Sequence, residues 1–72
     1  MQALNFVDSI VGLWQQYENF SQHKTPTAKL VIRQSLLFIV HDCKLALNHG
    51  HDNEYFNNHK QKAEKLLEKL AA

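Results

Sequence analysis

Helix breakers are scarce in this 72-residue chain, which has two glycines and one proline. No window sustains the period-two alternation of a half-buried strand, so sheet architectures are excluded. Cysteine is scarcer still. Cys43 stands alone, so no intrachain disulfide can form and a disulfide-stapled secreted scaffold is ruled out. A single free thiol fits a reducing compartment, and a cytoplasmic location is expected. Charge of one sign is also lacking. Eight Lys+Arg stand against seven Asp+Glu, a formal net charge of +1, without the basic excess of strong nucleic-acid binders. The longest apolar run, Leu36-Leu37-Phe38-Ile39-Val40, falls far short of the roughly 20 residues that span a bilayer. No basic residue precedes Lys24, so no secretory leader is readable and no membrane partner is expected.

What remains is a chain that is 44% hydrophobic, enough to fold at this low net charge. Residues 1–72 make a single domain. Its core is small, and cores of this size supply only about 3–5 kcal/mol. With disulfides excluded, a metal or an associating surface is the remaining route to extra stability.

Two breaks divide the chain. At Lys24-Thr25-Pro26-Thr27, Thr25 is suited to cap a helix whose first residue is Pro26. At Asn48-His49-Gly50-His51-Asp52, Gly50 suits the left-handed residue that ends a helix, and Asp52 suits the cap of the next. Helices are therefore expected over about 2–22, 26–49 and 52–71. The fold class is all-α, a three-helix antiparallel bundle: a helical hairpin plus an N-terminal helix, completed by dimerisation.

The first helix is amphipathic. Ala3, Phe6, Val7, Ile10, Leu13, Trp14, Tyr17 and Phe20 share one stripe, at 100° per residue. Gly12 falls on the polar side. The third helix carries a seam of Phe56, His59, Ala63, Leu66 and Leu70, spaced as in a coiled coil. The middle helix is apolar on a wide arc from Ala28 to Leu47, which Phe38 and Leu45 extend on one flank. Leu30 and Leu37 lie on the other side, beside Arg33, His41 and Lys44. A helix apolar nearly all round is buried nearly all round. Two neighbours cover only the main arc. Leu30, Arg33, Leu37, His41 and Lys44 are therefore the expected partner-binding surface, with Leu4, Val11 and Trp14 as a second patch.

Sites for chemistry are sparse. His49, His51, Asp52 and His59 cluster near the second break, and the three histidines are weak candidates for a metal. Their spacing lacks the tight ligand repeat of a closed zinc site, so no cofactor is expected. Cys43 points about 160° away from His41 on the helix, has no base on its own face, and reads as a small buried hydrophobe. Asp42 falls inside the apolar arc, where a carboxylate is either partnered or at a solvated edge. No glycine-rich phosphate loop or nucleophile–base pair is present, so no enzyme activity is expected. A helix-turn-helix reading, with Ala46 and Gly50 at the turn, would begin its recognition helix on Asp52-Asn53-Glu54 and set carboxylates against phosphates.

Cys43-Lys44-Leu45-Ala46-Leu47, Gly50, Tyr55-Phe56 and Lys62-Ala63-Glu64 together resemble the C-terminal hairpin of the small type III secretion needle co-chaperones. The resemblance implies that such a hairpin serves as a binding surface. The aromatic-rich first helix and the strongly apolar middle helix depart from that family's pattern. The sequence thus points to a small helical module that binds another protein or a second copy of itself, as regulator, inhibitor or chaperone-like partner. A DNA-binding regulator and a histidine-based metal-binding protein are the alternatives.

Overall fold

The computed structural model describes residues 6–51 and 53–71. They form three helices, α1 (Phe6–Ser21), α2 (Pro26–Asn48) and α3 (Asn53–Ala71), with no strand among them. The expected first turn of α1 and the cap at Asp52 lie outside the described residues.

Both breaks work by the chemistry of their residues. Thr25 is extended (φ −97°, ψ 155°), and its Oγ1 accepts a hydrogen bond from the Ala28 amide at 3.1 Å. Pro26 starts the helix, where its missing N–H costs nothing. At the far end, Gly50 adopts φ 79°. Its N–H donates to the Leu47 carbonyl, and the His51 N–H donates back to the Ala46 carbonyl, each at 3.1 Å. This is a Schellman cap, and the left-handed residue it needs is glycine because a Cβ is strained there.

The turns send α2 antiparallel to both neighbours. Phe6 at the start of α1 meets His49 and His51 after α2 and Phe56 near the start of α3. Ile10, Leu36, Ile39, Cys43, Ala46 and Ala63 have no solvent exposure. Ser35 is also buried, and its Oγ donates to the Val31 carbonyl one turn back at 2.9 Å, so the hydroxyl is satisfied within its own helix. Along α2, Ala28, Ser35, Cys43 and Ala46 are small, which leaves room for the large side chains of α1 and α3.

Both outer helices pack on α2, but no Cα of α1 lies within 8 Å of one in α3 among the described residues. α1 and α3 meet through long side chains only. The Trp14 Nε1–H donates to His59 Nδ1 at 3.0 Å, and Lys62 Nζ lies 4.8 Å from the centre of the Trp14 ring. The molecule is accordingly thin, with Cα extents of 38 × 27 × 13 Å.

This geometry corrects one expectation. It concerns the flank of the middle helix. The core side of α2 centres near Ile32 and Ile39, and the opposite side is open to solvent. Phe38, expected on the flank of the core, is 53% exposed. It sits about 100° from Ile39 on the helix, where α1 and α3 leave it largely uncovered. Leu45, on the same flank, is half-buried.

Gly12 is exposed on α1, and a Cβ added there meets no atom within 4 Å. Gly12→Ala is expected to stabilise the fold by about 0.5–1 kcal/mol, since alanine restricts the unfolded chain and favours helix. Thermal unfolding should shift upward by roughly 2–8 °C. An unchanged or lower midpoint would mean that this stretch is not an exposed helix.

Candidate functional site

The open side of α2 is built by helical repetition. Leu30, Arg33, Leu37, His41 and Lys44 recur at three- and four-residue steps, and all are exposed. Leu30 is 60% and Leu37 47% exposed. Gln34, Leu37, Phe38 and His41 line a shallow groove of about 400 Å³. The floor is aliphatic and aromatic, and the flanks are polar.

Phe38 is the residue of this face that sequence reasoning placed elsewhere. Its signal was present, since Phe38 and Gln34 lie one turn apart and both fall beside His41 on the helical wheel. Charge on the face is one-sided. Arg33 and Lys44 lie along it, Lys29 borders it, and α2 contains a single carboxylate, Asp42. That carboxylate is turned toward α1, where it accepts a hydrogen bond from Ser9 Oγ at 2.6 Å. Asp42 is thus half-buried and partnered at the edge of the α1–α2 contact. The serine that holds it comes from the polar side of α1.

The second patch is narrower than the sequence suggests. Val11 is 45% and Val7 43% exposed, but Trp14 is half-buried and its indole is taken up by His59 and Lys62. Leu4 lies outside the described residues.

The histidines near the second turn are engaged by aromatic rings. His49 and His51 lie 6.1 and 5.4 Å from the Phe6 ring centre. His59 accepts from Trp14 and lies 4.4 Å from the Tyr55 ring centre. Among the described residues no group of three or more His, Cys, Asp or Glu side chains converges as a metal would require. Cys43 is fully buried. Burial, reinforced by the neighbouring Asp42 charge, pushes its thiol up to about 11, with Lys60 opposing. At neutral pH it stays protonated, which is the inert state of a thiol.

These features define a class, an all-α three-helix bundle with a one-sided cationic, apolar helix face. No known protein family, no curated protein and no solved structure matches the chain. Among the described residues no helix is long and apolar enough to cross a membrane.

Proposed function

We propose that the protein is a small helical interaction module, not an enzyme, and that it docks a partner protein on the outer face of α2. The observation that carries this reading is the groove at Leu37 and Phe38, with Leu30 two turns before Leu37 along the same helix. Large apolar side chains gathered on one face and rimmed by polar ones mark interaction sites, whereas scattered single residues do not. Burying Leu37 and Phe38 supplies the aliphatic and aromatic anchors that carry most of the energy of such contacts.

Charge narrows the partner. A second copy meeting this face about a two-fold axis would double Arg33 and Lys44 with no carboxylate opposite, and like charges brought together cost affinity. A partner helix with an apolar stripe flanked by Asp or Glu complements the face on both counts. Self-association, the expectation from sequence, is on this reading weaker than binding such a partner. The lone reduced Cys43 favours a cytoplasmic setting.

The test is site-directed photo-cross-linking in the cells that make the protein. A photoreactive phenylalanine analogue at Phe38 should give one dominant protein adduct, lost when Leu37 is changed to Asp. The same analogue at the exposed polar position Gln15 should give none. Equal and scattered adducts at both positions would overturn the reading. Sedimentation equilibrium at micromolar concentration separates the two occupants: a monomer is expected, and a tight dimer abolished by Leu37→Asp would restore the second copy.

A further inference from the structure

At the end of the bundle away from Gly50, three clefts open between the helices. One of about 490 Å³ lies between the α1–α2 turn and Leu70. A second, about 220 Å³, runs over Ile32 between Tyr17 and Leu66. The third, about 200 Å³, lies between α2 and the last turn of α3 at Leu67 and Leu70. Leu70 borders all three, Ile32 and Ser21 border two, and Lys29 borders two. The first two share Ser21, Ile32 and Leu70 and form one recess with an aliphatic floor, which the third adjoins at Leu70 and Lys29. The recess opens where α1 and α3, which make no close backbone approach, leave the core uncovered.

The rim of this recess carries one sign of charge. Among the described residues Lys24, Lys29, Arg33 and Lys69 line it and the adjoining cleft, and no Asp or Glu does. In a chain with nearly equal numbers of acids and bases, that is a marked segregation. Among the described residues none of Lys24, Lys29, Arg33 and Lys69 has an ion-pair partner; the ion pair found there, Lys60–Glu64, lies toward the middle of α3. The cations are therefore free to meet an external anion. The largest compartment falls within the size range of small-molecule sites.

We propose that this recess binds a single-chain aliphatic carboxylate, with its tail along Ile32, Leu66 and Leu70 and its head group among Lys24, Lys29 and Lys69. The site is separate from the groove at Leu37 and Phe38 and does not rest on the role given to that face. Arg33 and Lys29 border both and are left unchanged in the test.

The experiment is calorimetric titration of the intact chain with octanoate and decanoate, below the concentrations at which they aggregate, with amide NMR shifts to locate the ligand. Decanoate should bind roughly ten- to fifteen-fold more tightly than octanoate, as expected for two further buried methylenes. Decanol should bind more weakly than decanoate. The double variant Lys24→Glu/Lys69→Glu should weaken decanoate on the order of tenfold, an effect reduced by salt. Phe38→Ser should leave the affinity unchanged, and the shifts should centre on Ser21, Ile32 and Leu70. Three results overturn the proposal: no binding of decanoate, equal affinity for decanol, or loss on Phe38→Ser with none on charge reversal. Sedimentation with anionic phospholipid vesicles without binding of monomeric decanoate would assign the cations to a lipid surface, and also overturns it.

Discussion

Leu36→Ala should leave a large fraction of the chain unfolded at 25 °C, while Leu37→Ala next to it should change stability hardly at all. Leu36 has no solvent exposure and sits between α1 and α3 on the core side of α2. Truncating a buried leucine removes its transfer energy and leaves a cavity, at a cost of about 2–5 kcal/mol. A core of this size supplies only about 3–5 kcal/mol in all. Leu37 is 47% exposed, and truncation at such a position falls within about 0.5 kcal/mol. Urea unfolding followed by circular dichroism measures both. Similar losses in the two variants would mean that α2 is rotated from the orientation described, or that Leu37 is covered in solution by a partner copy.

The second large effect is acid sensitivity centred on His59. Its Nδ1 accepts the Trp14 indole hydrogen bond, which requires the neutral ring. Burial, assisted by the Lys62 charge, lowers its pKa from the ordinary 6.5. The folded chain then releases this proton more readily than the unfolded chain, so the unfolded state binds more protons as the pH falls below 6.5. By linkage the stability held by neutral His59 is complete above that value and is lost as the pH drops through the folded-state value. Protonation also turns Nδ1 from acceptor into donor and releases the indole. Unfolding midpoints should therefore decline from pH 6.5 downward, before most carboxylates titrate, with a parallel change in Trp14 fluorescence. His59→Gln, which keeps an acceptor and does not titrate, should flatten both. Undiminished acid sensitivity in that variant would place its origin elsewhere.

Much of this fold is legible in the chain because its signals are local. Thr25-Pro26 and Gly50 set the two breaks through capping and a left-handed φ, which depend on neighbouring residues alone. The apolar periodicity likewise marks Ile10, Leu36, Ile39, Phe56 and Ala63 as inward. The exposed strip through Leu30 and Leu37 follows from the same arithmetic, since two helices cannot cover a third on every side.

What stayed illegible depends on how far each neighbour reaches round. Phe38 and Val7 lie at the edges of their stripes, and only the approach of α1 and α3 decides whether an edge residue is inside. Ser9 reads as solvated from its own helix but meets Asp42 across the α1–α2 contact. His59 looks like a candidate ligand in sequence, and in space its acceptor is taken by Trp14. The cationic recess joins the α1–α2 turn to the last turn of α3, two stretches far apart in the chain. Periodicity and capping chemistry thus determined three helices and their inward faces, because those are properties of consecutive residues. The tertiary structure alone decided which apolar edges stay exposed and which cations gather, because both depend on crossing geometry and on the reach of side chains between helices.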